Sequence, residues 1–142
     1  MLFRSAGRGA KVCLVDRAAP GQEASHAAAG MLAPSAEAEE PSAFFEFALA
    51  SRKKYPALAA ELFAETGIDP HYRQDGTLLP FLSQTEAEHL HQHLAWQAQH
   101  GVVAELYSAA QLREAAPSLA NFPGAYFLPD DHQIDKIGRA HV

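Results

Sequence analysis

Hydrophobic and polar positions divide the chain into segments of different period. Lys11-Val12-Cys13-Leu14-Val15 is a short apolar run between Gly7-Arg8-Gly9 and Ala18-Ala19-Pro20-Gly21. Its length and β-branched content predict a buried strand of a parallel sheet, entered from a helix end. Gly7 and Gly9 precede this strand, whereas a phosphate-binding turn follows one, so the pair reads as a helix C-cap. From Ser42 to Gly67 the period is helical: Phe44, Phe45, Ala48, Tyr55, Leu58, Leu62 and Phe63 recur near 3.6 residues. Ser42 is the expected N-cap and Gly67 the stop. Pro56, which lacks a backbone donor, should kink or restart the helix.

Beyond Gly67 the pattern changes. Ile68 to Tyr72 and Gly76 to Leu82, separated by Gln74-Asp75-Gly76, predict two extended segments with an Asp-Gly turn. Ser83-Gln84-Thr85-Glu86 matches a capping box and opens a helix that runs to His100 and closes at Gly101. A strand over Val102 to Tyr107, a short helix from Ser108 to Ala115 stopped before Pro117, and a strand over Ala125 to Leu128 complete the order.

Charge and composition narrow the classes. The 142 residues carry a formal −6, with 17 Asp+Glu against 11 Lys+Arg. That balance disfavours nucleic acid or an anionic membrane surface as partner. No apolar run approaches the ~20 residues of a membrane helix. Cys13 is the only cysteine, so no disulfide forms within the chain, and a reducing, cytoplasmic setting is expected. Among strand residues it reads as a small core hydrophobe, with a reactive thiol as the alternative. Met1 to Ser5 and Ile137 to Val142 read as translations of one sequencing adapter in opposite directions. Both are set apart from fold reasoning, which makes the natural ends of the chain appear cut.

Asp16 is the first candidate for chemistry. A carboxylate at the C-terminal tip of a strand is what a dinucleotide site uses on ribose hydroxyls, and it normally follows a glycine-rich turn by about 20 residues. That turn has no counterpart upstream of Asp16. His89 and His93 share a helix face with Glu86, the spacing of a metal pair, but no third and fourth ligands follow, so they read as a solvated polar face. Glu37, Glu39 and Glu40 precede a helix and read as an exposed charge run or helix-dipole partners. Trp96 reads as core or edge packing.

The ordered set Asp16-Arg17, Ala24-Ser25, Ala28-Ala29-Gly30-Met31-Leu32, Glu37-Ala38-Glu39-Glu40, Thr66-Gly67-Ile68-Asp69, Asp75-Gly76-Thr77, Pro129-Asp130-Asp131 and Gln133-Ile134-Asp135 resembles the FAD-dependent oxidoreductases of the D-amino-acid oxidase family. Within that family it is most similar to the glycine oxidases of thiamine biosynthesis. The resemblance implies that Asp16 binds the adenosine ribose and that Arg17 packs near the adenine, the alternative for Arg17 being a solvated surface residue. Ala24 and Ser25 lie by implication near the pyrophosphate, a helix cap being the plain reading of Ser25. Ala29, Gly30 and Met31 are implied to run beneath the flavin, with His26 pointing away. Asp130 and Asp131 are expected to be structural, ahead of the chain's return toward the flavin.

The expected fold is α/β, α+β as a whole. It comprises a partial Rossmann-like FAD-binding domain lacking its first strand and glycine-rich turn, over residues 6–67, followed by the start of a mixed-sheet substrate domain over 68–136. Residues 1–5 and 137–142 are the adapter-derived ends. By resemblance the parent enzyme oxidises glycine or a similar small amino acid or amine to the imine, with hydride passing to flavin N5. Water then hydrolyses the imine and oxygen is reduced to peroxide. The arginine and tyrosines that clamp the substrate carboxylate in this family are expected downstream, so no catalytic residue and no metal ligand is assigned within the chain. The chain alone is expected to be inactive, and its parent to be a homo-oligomer. Sister enzymes such as D-amino-acid dehydrogenase or sarcosine oxidase, and a noncatalytic α/β binding module, stand as alternatives.

Overall fold

The structure is a computed structural model that describes residues 2–17 and 27–135. A first helix, α1 (Leu2–Gly7), ends in the expected cap: Gly9 N–H donates to Ala6 O (2.8 Å) and Ala10 N–H to Ser5 O (3.0 Å). The Lys11 to Val15 run then departs from expectation. It is extended but joins no ladder among the described residues, and it is exposed, Leu14 by 60% and Val15 by 86%. An apolar run becomes a buried strand only where a neighbouring strand takes its backbone hydrogen bonds. Cys13 is exposed with it, not a core residue.

Met31–Leu32 forms β1, followed by the one-turn helix α2 (Pro34–Glu37). The long helical pattern resolves into two helices, α3 (Ala43–Arg52) and α4 (Tyr55–Thr66). Ser42 Oγ accepts from Phe45 N–H (3.1 Å), the cap expected from its side chain. The break falls at Lys53-Lys54, and Pro56 restarts the helix within its first turn, where a missing donor costs nothing. Gly67 ends α4 at φ 71°, a left-handed conformation suited to glycine. The inward face of α3 runs through Phe45, Leu49 and Arg52, while Phe44 and Phe47 point to solvent. Of the expected apolar positions on α4, Phe63 is exposed and Ala59 supplies the buried contact.

The 68–72 segment is not a strand. Pro70 offers no N–H, and His71 takes a positive φ of 49°, which interrupts any ladder. The following segment is β2 (Thr77–Phe81), whose partner is β4 (Gly124–Leu128) rather than its sequence neighbour. Helix α5 (Gln84–Ala95) is capped by Ser83 and continues as a 3-10 turn (Gln97–His100) to Gly101. Strand β3 (Glu105–Ser108) begins later than expected, because Val102 N–H is still held by Gln97 O (3.2 Å) at the helix end. Helix α6 (Ala109–Ala115) opens with a full Ser108/Gln111 capping box.

Strands β2, β4 and β3 form an antiparallel sheet in that order, with β4 in the middle and correspondingly buried. The main core joins its inner face to α3 and α5 through Phe45, Leu49, Phe81, Ala87, Leu94, Val102, Tyr126 and Leu128. Trp96 closes it edge-on against Phe45, centroids 4.9 Å apart. A second antiparallel pair joins β1 to β5 (His132–Gln133), an element the sequence pattern did not indicate.

Candidate functional site

The expected cofactor residues fall into three groups. Asp16 and Arg17 end the exposed extended segment. Ala24 and Ser25, with His26, lie outside the described residues. Ala29, Gly30 and Met31 lead into β1: Ala29 and Met31 are exposed and Gly30 half-buried.

The Gly30 backbone is held closely. It adopts φ 80°, its carbonyl accepts from Ile134 N–H (2.9 Å), and a Cβ built on it would overlap Ile134 O. Glycine is therefore required by the neighbouring chain, whatever else approaches this segment. Behind it, Met31 pairs with Gln133 and Leu32 with His132.

Beneath β1 lies a buried polar cluster. Asp131 is wholly buried; its carboxylate accepts from Ser35 N–H (3.3 Å), Ala36 N–H (3.0 Å) and Arg52 Nη1 (2.6 Å). The same Nη1 donates to Ser35 Oγ (3.1 Å), and Gln97 Nε2 donates to Ser35 O (3.0 Å). Asp131 thus supplies from ninety-six residues away the cap that Ala33, the local N-cap residue, has no side chain to provide. Its structural role agrees with the expectation for it. Arg52, Ser35 and Gln97 were not singled out by sequence. The available signal was Arg52, which shares the helical period of Phe45 and Leu49 and so places a charge on a buried face.

His132 extends this cluster outward. Its Nδ1 is hydrogen-bonded to Tyr72 Oη, and the two rings meet edge-on with centroids 5.4 Å apart. Burial, and secondarily the Arg52 guanidinium, push its imidazole below the ordinary 6.5, against opposing pulls from Asp130 and Asp131.

Two concavities flank the site. One, of about 420 Å³, lies between α2 and α3 and is lined by Glu37, Glu39, Glu40, Phe44, Phe47 and Tyr55. The other, of about 760 Å³, brings Glu86, His89 and His93 to face Glu37 and Glu39. Among the described residues no three His, Cys, Asp or Glu come together to hold a metal ion.

A family model described as DAO, FAD dependent oxidoreductase, matches residues 2–137. The chain belongs to this family. It is 34% identical over 134 residues to a glycine oxidase of Bacillus licheniformis, covering 94% of this chain and 35% of that protein. A bifunctional ThiO/ThiG protein of Synechocystis is 36% identical over 117 residues, covering 80% of this chain and 16% of that protein. The crystal structure of a Bacillus cereus glycine oxidase superposes with a TM-score of 0.84 at 31% identity, over 95% of this chain and 37% of that one. The chain spans about a third of the length of the glycine oxidases it matches. This membership bears out the mixed α and β fold and the resemblance to the flavin family. Among the described residues no helix is long and apolar enough to cross a membrane.

Proposed function

We propose that this chain supplies the cofactor-side segment of a flavin enzyme that oxidises glycine or a comparably small amino acid or amine. The superposition on a glycine oxidase over 95% of the chain is the observation that carries the reading. By this reading Asp16 would accept from the ribose hydroxyls, Arg17 would pack near the adenine, Ala24 and Ser25 would serve the pyrophosphate, and Ala29, Gly30 and Met31 would run beneath the flavin ring.

The described residues fit such a group. Ala27, Ala28, Ala29 and Met31 are exposed and Gly30 half-buried, and small side chains let a flat ring approach such a segment closely. An acidic residue beside an exposed apolar stretch, Leu14 and Val15, suits a ribose with an adenine against it. Bound FAD would supply the oxidising chemistry, an acceptor for the substrate's hydride that oxygen would regenerate with release of peroxide. The chain's own residues bind and orient; the groups that grip the substrate carboxylate lie elsewhere in the parent enzyme.

Residues 6–67 then belong to the FAD-binding domain and 68–136 open the substrate domain, with Asp130 and Asp131 preceding the chain's return toward the flavin. The parent is a cytoplasmic homo-oligomer in thiamine biosynthesis, a role suggested by the ThiO/ThiG names of two relatives. Grafting residues 6–135 into the Bacillus licheniformis enzyme in place of its matching stretch tests the reading. The chimera should release peroxide when given glycine. A folded chimera that carries flavin but is silent toward glycine and small amines would contradict the proposed activity.

A further inference from the structure

Residues 131–134 touch residues 30–36 at every step. The Asp131 carboxylate holds Ser35 and Ala36, His132 pairs with Leu32, Gln133 with Met31, and Ile134 N–H donates to Gly30 O. The two stretches therefore run antiparallel, one along the other, and at its far end Gly30 meets Ile134 too closely for any side chain. At the near end the contact is a buried charge locked by Arg52 from α3.

We propose that Asp131–Ile134 is a splint that sets the main-chain path of residues 30–36, and that Asp131, locked by Arg52, is a positioning residue for the Ala29–Met31 backbone. The proposal rests on the flavin reading only for what that backbone faces.

The physical case is one of specificity. A buried ion pair is poor evidence of stabilisation, since apolar residues of equal volume often serve as well. What apolar residues cannot do is recognise two successive N–H groups and thereby fix where a one-turn helix begins. Two-residue strands have little register of their own, because so few ladder bonds define it. Pro34 brings no N–H, so Ser35 and Ala36 carry the first available donors of α2, and both go to Asp131. A shift of this start by one residue would swap the faces that Met31 and Leu32 occupy.

Hydrogen exchange of individual amides in the full chain tests this without any ligand. Asp131→Asn should speed exchange at Ala36 and Ile134 by about tenfold or more while the amides of β4 keep their protection. Arg52→Lys, which retains a cationic donor, should restore most of the protection that Arg52→Gln loses. If Asp131→Asn alone does not fold, the Asp131→Asn/Arg52→Gln pair, which leaves no unpaired buried charge, carries the same expectation.

Unchanged exchange at Ile134 would overturn the proposal. So would an equal loss of protection in β4 in both the single and the double variant, which would make the pair a general stabiliser. A second arm adds FAD to the Bacillus licheniformis glycine oxidase chimera that carries residues 6–135. Slower exchange at Gly30 and Met31 in that chimera, weakened by Asp131→Asn, is the expected result. If FAD leaves these amides unchanged, the flavin reading fails, and the splint stands or falls on Ile134 alone.

Discussion

At the scale of single residues, His132 makes the pH dependence of this molecule explicit. Burial and the Arg52 guanidinium disfavour its protonated form in the folded state. Below 6.5 the unfolded chain therefore takes up a proton that the folded chain resists. Its stabilising contribution is whole above 6.5 and is lost as pH falls through the lowered folded value. The His132 ring should titrate below 6.5 by NMR, and the denaturant midpoint should fall over the same window. A ring titrating at or above 6.5 would contradict this account. Single residues were also where the sequence was hardest to read. Asp131 and Arg52 are 79 positions apart, and nothing in either neighbourhood names the other as partner. Only the placement of Arg52 on the buried period of Phe45 and Leu49 hinted at a charge that needed one.

At the scale of elements, helices with local punctuation were legible and strands with distant partners were not. Ser42, Ser83 and Ser108 each cap the helix that follows, and Gly67 and Gly101 each end one, because these signals act within a few residues. The short strands β1 and β5 carry no pattern of their own and exist through pairing across about a hundred residues. The Lys11 to Val15 run shows the reverse: a strand-like composition without a neighbouring strand stays out of any ladder among the described residues. Ile68 to Tyr72 fails for a local reason, Pro70 followed by His71 at positive φ. Ser42→Ala should lower stability by about 1 kcal/mol, the usual worth of an N-cap, read as a shifted urea midpoint at unchanged slope. A loss below about 0.3 kcal/mol would show that tertiary packing, not the cap, sets the start of α3.

At the scale of the whole molecule, the sheet β2-β4-β3 with α3 and α5 forms the main core, and the β1/β5 pair joins the early chain to its later part. Phe44, Phe47, Leu14 and Val15 leave large apolar side chains exposed. Family membership was legible because many short signals recur in order from Asp16 to Asp135, although the cofactor contacts themselves are not local features of the sequence.

The flavin content of the glycine oxidase chimera carrying residues 6–135 bears most directly on the central claim, that this segment is built around FAD. Absorbance of the purified chimera should give close to one flavin per chain, and Asp16→Ala should weaken retention by about tenfold, the order expected for a charge-assisted hydrogen-bonding group. A cooperatively folded chimera that purifies colourless and stays so when given excess FAD would contradict the claim.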